Sequence, residues 1–476
     1  MLMLALQSLG GEKIHMRPPA IILVSLLLGG CVLGPEPGRP ELALPGAIRG
    51  DSAPHGKSFG DKAWRKVFTD ATLRQLIERA IANNPDLAAA TYRIEQARAQ
   101  AVTANSDWFP QLNGSAGGTA NYGSVNAGQV PSGGGRSSET YNLTGLLSWE
   151  IDLWGGIRRS NQAARSELLA AYYQRDAVQT SLVAAVATAY IELKNLDERL
   201  AISRRTVKSR QESLDLVKAR GEGGIGSDLE IGQAEALLGQ ALTAIPITEQ
   251  AIAERENQIR ALLGDYPGGI ARGGSLDSLD SSLRIKGGLP SMLLERRPDV
   301  AAANHSFQAA VAQIGVAEAL RLPNLSLTGN GGVLSGDLGN LLEGNSTAYS
   351  IGPNLAGPLF DAGRSKARAD AARARAGEAL TSYNKASQQA FREAADAINA
   401  HVKTGEIAAQ QNSLVESYRK VAAVAADRFQ GGASGYLEVL DAERSLFNAE
   451  LELSDARRNR LLSVVFAYRA LGGGWK

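Results

Sequence analysis

One cysteine in 476 residues, Cys31, leaves no intrachain disulfide and a single thiol for any nucleophilic chemistry. Histidine is nearly as scarce: His15, His55, His305 and His401 lie far apart, without the HExxH spacing of a hydrolytic zinc site. The tripeptide GKS at Gly56 resembles part of a phosphate loop, but Asp51 stands where that loop needs a glycine and no apolar strand precedes it. Neither catalytic nor metal-binding residues emerge, so an enzyme is not expected. Charge of one sign is missing as well. With 50 basic against 49 acidic residues there is no polycationic face, which argues against nucleic acid as a partner. Aromatic residues make up only 5 %, and alanine-rich tracts such as ADAARARAGEA take their place beside 52 glycines. That composition suits long helices packed through small side chains better than one bulky core.

Long apolar runs are also lacking. The run from Ala20 to Leu28 is too short to span a bilayer as a helix. With Arg17 before it and LGGC after it, it reads as a signal segment over residues 1–30, with translation expected to begin at Met16. LGGC looks like a bacterial lipobox, which makes Cys31 the expected carrier of a diacylglycerol and an acyl chain. No other cofactor is expected. Val32, rather than an aspartate, follows the cysteine, as the bacterial rule requires for export to the outer membrane.

What the chain has in abundance is repetition. NNPDLAAATYRIEQA from Asn83 matches RRPDVAAANHSFQAA from Arg296 at an offset of 213, and the same offset carries WFPQL onto RLPNL. LWGGIRR at Leu153 falls on FDAGRSK at Phe360. At an offset of 208, Arg220, Gly223, Gly224, Leu229 and Glu230 map onto Arg428, Gly431, Gly432, Leu437 and Glu438. Three matched segments in one order define a tandem duplication. The expected organisation is an N-terminal segment over 31–69, a first repeat over 70–264, a linker over 265–290 and a second repeat over 291–476. Each repeat should run helix, two strands, long helix, glycine turn, long helix.

Strands are expected at about 111–122, 141–153, 323–334 and 347–359. In the first, Leu112, Ala116, Ala120 and Tyr122 alternate with Gln111, Asn113, Ser115 and Thr119; in the second, Leu143, Leu147, Trp149 and Ile151 alternate with Asn142, Thr144, Ser148 and Glu150. Period two over ten or more residues gives one wet and one apolar face, at the length of a tilted transmembrane β-strand. No proline occurs between Gly156 and Gly221, and Val186, Leu193, Leu200, Val207 and Leu214 recur every seven residues, flanked by Ala189, Leu196 and Val217. That is the period of a left-handed coiled coil. A helix of that extent is about 100 Å long and must pack on others to be stable. The tips of the two helical hairpins should lie at about 221–227 and 430–435.

Four membrane strands cannot close a barrel, and open strand edges in lipid leave unpaired backbone groups. The chain must therefore oligomerise; a trimer supplies twelve strands. At this point the motifs NNPDL, FPQL, WEIDLWGGIRR, LLERRPDV, LPNL, GPLFDAGR and YLEVLDAERSLFNAEL, in this order and duplicated, resemble the TolC-like outer-membrane efflux proteins. The similarity is greatest to their lipid-anchored branch, which works with resistance-nodulation-division pumps. The resemblance implies a mixed α and β membrane protein: a homotrimer with a twelve-stranded outer-membrane barrel continued by a helical periplasmic tunnel. It further implies a periplasmic adaptor, an inner-membrane pump and outer-membrane lipid as partners, and passage of drugs and toxic compounds. A duct for heavy metals or for type I protein secretion is the alternative.

The family closes its tunnel at the periplasmic tip. Glu438 and Asp441 occupy positions where it commonly has acidic residues, and their spacing puts both on one helix face. Three copies would stack two rings of carboxylates. Ser434 stands one turn before Glu438 where a basic residue is common, so Arg428 and Arg220 become the candidate partners. Gly223, Gly224, Gly431 and Gly432 mark the tips, where the family meets its adaptor. Gln233 stands opposite Asp441, so only the second tip carries both carboxylates. Arg158, Arg159 and Arg364 are expected to face lipid headgroups or neighbouring helices.

Overall fold

The computed structural model describes residues 32–41, 44–50, 58–127, 135–279, 285–286, 288 and 290–473. Cys31 and the leader over 1–30 lie outside the described residues. Helices α1 (Trp64–Val67), α2 (Ala71–Asn83) and α3 (Pro85–Ser106) precede strands β1 (Gln111–Tyr122) and β2 (Ser137–Ile151). The first hairpin follows as α4 (Gly156–Glu222) and α5 (Asp228–Leu262). The order then recurs: α6 (Pro290–Arg296), α7 (Pro298–Ala319), β3 (Asn324–Ser335), β4 (Thr347–Ala356), α8 (Arg364–Gln430) and α9 (Tyr436–Ala470).

The duplication is metrical. α3 and α7 have 22 residues each, α4 and α8 have 67, and α5 and α9 have 35. Side-chain roles repeat too, even where residue types differ. Asn84 Nδ2 donates to Leu262 O at 3.0 Å, and Arg297, its counterpart, donates to Ala470 O at 3.1 Å. Each thereby satisfies a carbonyl in the last turn of the returning rod, an acceptor left without a helical donor.

Among the described residues two compact units contain these elements: 32–39, 97–168 and 306–379 form one, and 40–96, 169–305 and 380–473 the other. In the first unit the four strands pair antiparallel in the order β1-β2-β3-β4. Their register carries the alternation onto a common face. Leu112 pairs with Leu147, Ala116 with Leu143 and Leu143 with Val333. Trp149 pairs with Leu327, and Leu325 joins Ile151 to Leu355. The opposite face pairs Ser115 with Thr144, Ser148 with Thr328 and Asn330 with Ser350, interrupted by Leu146 and Leu334. Tyr141 packs over Gly118, where any Cβ would come within 3.0 Å of the ring.

Strand ends differ from the expected bounds for local reasons. β2 starts at Ser137 because polar residues without alternation still pair, as Tyr122 does with Ser137. It ends at Ile151 because the Asp152 carboxylate turns to accept the N–H groups of Ile157 and Arg158 at 3.0 and 2.9 Å, opening α4. β3 begins at Asn324 rather than 323, since Pro323 has no N–H for the ladder, and β4 stops at Ala356 before Gly357-Pro358.

Arg159 does not face headgroups. It is 1 % exposed and holds the chain just after Cys31: Nε donates to Leu33 O at 3.0 Å, Nη2 to Gly34 O at 3.1 Å, and the guanidinium grips the Glu36 carboxylate at 3.0–3.2 Å. Leu33 N–H in turn donates to Trp154 O at 3.1 Å.

In the second unit Val186, Ala189 and Leu193 of α4 are buried in the main core with Ile77, Ile259, Tyr383 and Tyr468. Further along the seven-residue seam Leu196, Leu200 and Val207 are half-buried, and Leu214 and Val217 are buried again in a separate cluster at the tips. Among the described residues no helix is long and apolar enough to cross a membrane.

Candidate functional site

The cluster around Leu214 and Val217 joins both hairpins: Ala234 and Leu238 of α5, Ala425 and Phe429 of α8, and Tyr436, Val439 and Ala442 of α9 pack with it. The two turns beyond it are built alike. Ile225 N–H donates to Arg220 O at 2.9 Å and Gly224 N–H to Gly221 O at 3.0 Å; Ala433 N–H donates to Arg428 O at 2.8 Å and Gly432 N–H to Phe429 O at 3.0 Å. This is the Schellman pattern, with one left-handed residue per turn. Gly224 at φ +77° and Gly432 at φ +69° supply it, while Gly223 and Gly431 are not left-handed.

The turns diverge at the start of the returning rod. Ser227 caps α5: its Oγ accepts from Glu230 N–H at 3.3 Å, and the Glu230 carboxylate accepts from Ser227 N–H at 3.1 Å. In the second copy Gly435 holds the cap position and offers no side chain. Glu438, the counterpart of Glu230, is therefore released from capping and approaches Arg428 Nε at 3.7 Å. Asp441 pairs with Arg444 at 2.7 Å, one turn onward. All four side chains are more than half exposed and line a groove of about 810 Å³ between the end of α8 and the start of α9, with Val421, Val424 and Leu437. Exposed pairs of this kind contribute about 1 kcal/mol or less each, so they orient charges without locking them.

Arg428 thus approaches a tip carboxylate. Arg220 does not: its Nη1 donates to Phe429 O at 2.9 Å and its guanidinium lies over the Phe429 ring at 4.5 Å, tying one hairpin to the other. Arg444 was not legible as a partner because an arginine three residues after an aspartate is commonplace on a helix surface. The residues least legible in sequence lie beneath the groove. Arg210 is 1 % exposed, donates to Leu237 O and stacks over Phe447 at 4.9 Å. Glu443 accepts from Ser213 Oγ at 2.8 Å. Burial raises the Glu443 carboxyl and lowers the Arg210 guanidinium, and it pushes the Tyr436 hydroxyl up to about 12. The heptad held the signal: in the series Ala189, Leu196, 203, 210, Val217 the two missing slots are Ser203 and Arg210, and both are buried.

A four-stranded sheet with an apolar and a wet face, in a chain that also folds two long helical hairpins, defines the protomer of an outer-membrane channel. Residues 76–265 and 289–473, one stretch per repeat, match the family described as "Outer membrane efflux protein", and the chain belongs to that family. It is 32 % identical to the probable efflux pump outer membrane protein TtgC of Pseudomonas putida, over 96 % of this chain and 95 % of TtgC. It is also 32 % identical to the cation efflux system protein CusC of Escherichia coli, over 95 % of this chain and 98 % of CusC. The solved outer-membrane channel OprN superposes with a TM-score of 0.87 at 31 % identity, covering 94 % of this chain and all of OprN. The chain is an outer-membrane efflux duct.

Proposed function

We propose that three copies of this chain close a twelve-stranded barrel and form the passive exit for small toxic molecules, delivered by an inner-membrane pump through a periplasmic adaptor. The observation that carries this reading is the sheet: one apolar face runs across all four strands, yet the outer edges of β1 and β4 have no strand partner among the described residues. In lipid each unpaired backbone group costs several kcal/mol, and four strands fall short of the smallest barrels, so closure must come from other copies.

Acylation of Cys31 fits the same arrangement, because Leu33, Gly34 and Glu36 just after it are held by Arg159 rather than trailing free. Asp441 and Glu438 would meet their symmetry mates as stacked carboxylate rings, with Arg444 and Arg428 orienting them and the glycine tips meeting the adaptor. Cargo follows the pump, as expected for a shared exit: TtgC is named for an efflux pump and CusC for cation efflux. Conductance of the purified protein in a planar bilayer tests the proposal. Discrete channels are expected; none, even with Asp441 and Glu438 neutralised, would refute the duct.

A further inference from the structure

Beneath the tip, Arg210 and Glu443 present an unsolved electrostatic problem. Arg210 is buried on α4 against Leu237 O of α5 and the Phe447 ring of α9, yet its Nε and Nη2 have no hydrogen-bond partner. Glu443 projects from α9 toward the same place, and its Oε2 has none either. Each charge acts on the other, but no ion pair joins them. The other groups around Glu443 are Ser213, which donates to Oε1, and Tyr436, two turns back on α9. A buried charge with unmade hydrogen bonds is costly, and the cheapest remedy lies on the neighbouring helix. Packed cores tend to have two discrete arrangements rather than a continuum.

We infer that Arg210 and Glu443 are a two-position coupling between the hairpins: unpaired in the packing described here, and closed into an ion pair in a second packing reached when α9 turns against α4. The consequence reaches the groove through helix geometry. Asp441 and Glu443 are two residues apart, about 200° around α9, so a turn that brings Glu443 toward Arg210 swings Asp441 on the opposite side. Arg210 and Glu443 would thereby set the gate proposed above, on whose reading the coupling to conduction rests; the two packings themselves do not depend on it.

The direction with pH follows. In the unpaired packing burial disfavours the ionised carboxylate, so Glu443 titrates above its ordinary range. In the paired packing the arginine favours ionisation and the carboxyl titrates lower. A state with the higher pKa gains as pH falls, so acid selects the unpaired packing and neutral pH the paired one. Between the two pKa values the ratio of packings changes by up to about tenfold per pH unit.

Spin labels on the exposed positions Glu212 of α4 and Asn448 of α9, in the full acylated chain diluted with unlabelled copies, read the two packings as two distances. The expected result is a population that shifts toward the unpaired packing as pH falls below neutral, by up to about tenfold per pH unit. Glu443→Gln, which keeps the size of the side chain and its acceptor for Ser213, should leave one distance at every pH, as should Arg210→Met. A single distance in the unsubstituted protein, as expected if a bridging water completes the bonds, would overturn the inference. So would a pH shift that survives Glu443→Gln. A protein that shows the shift but conducts no ions would refute the duct and leave the coupling standing.

Discussion

Replacing the two adjacent glycines of one tip, each in turn, separates two roles that sequence alone lumps together. At Gly224 a Cβ would meet nothing within 4 Å, so the whole cost of Gly224→Ala is that of holding an L-residue at φ +77°. That cost is about 1–2 kcal/mol. At Gly223 the backbone is not left-handed, and the added Cβ would sit 3.5 Å from the carbonyls of Ala219 and Arg220, ordinary contact. Gly223→Ala should therefore be neutral or gain about 0.4–1 kcal/mol by restricting the unfolded chain. The Ile225 amide, bonded to Arg220 O at 2.9 Å, reports the turn directly. Hydrogen exchange there should quicken by about 5–30-fold in Gly224→Ala and hold steady or slow in Gly223→Ala. Exchange at Ala433 should quicken likewise in Gly432→Ala, whose Cβ would also meet nothing within 4 Å. Equal acceleration by Gly223→Ala and Gly224→Ala would show that the turn is not held by its left-handed residue, and the reasoning would fail.

Asp441→Ala should raise the conductance of the reconstituted protein, because it removes one carboxylate per copy from the groove; an unchanged value would place Asp441 away from the constriction. Arg159→Ala should free residues 33–36 to protease and speed exchange at the Leu33 amide, whereas continued protection would mean that other contacts hold the segment. Tyr436 stays protonated in the fold to about pH 12 against about 10 when unfolded, so its contribution is complete below 10 and lost between 10 and 12. Tip amides should loosen over that window, and Tyr436→Phe should abolish the effect; a pH profile unchanged by Tyr436→Phe would count against it.

Periodicity made most of the fold legible. Alternation located four strands to within a few residues because each has one wet face, and register across the sheet then follows from keeping apolar residues together. The seven-residue seam and the absence of proline located α4 and its copy. Strand ends were less legible, since they are set by single local events such as Asp152 turning to cap α4. Tip glycines were visible as a pair, but which of each pair is left-handed depends on where the helix stops. Exposure misled in the other direction. Arg159 and Arg210 look like surface charges, and each is 1 % exposed because nearby backbone carbonyls accept from it. Glu438 could be marked from its spacing, whereas its freedom to meet Arg428 came from a missing hydroxyl at Gly435, three residues earlier.

The equal lengths of the rods restrict how this chain can change. Removing a single residue from either 67-residue helix would retract its tip by about 1.5 Å and turn it by about 100°. Phe429 and Ala425 would then no longer meet Leu214 and Val217, and the Arg220–Phe429 tie would part. A length change is therefore tolerable only when both copies undergo it together. Substitutions can accumulate independently in the two halves, as Ser227 and Gly435 illustrate, but insertions and deletions cannot.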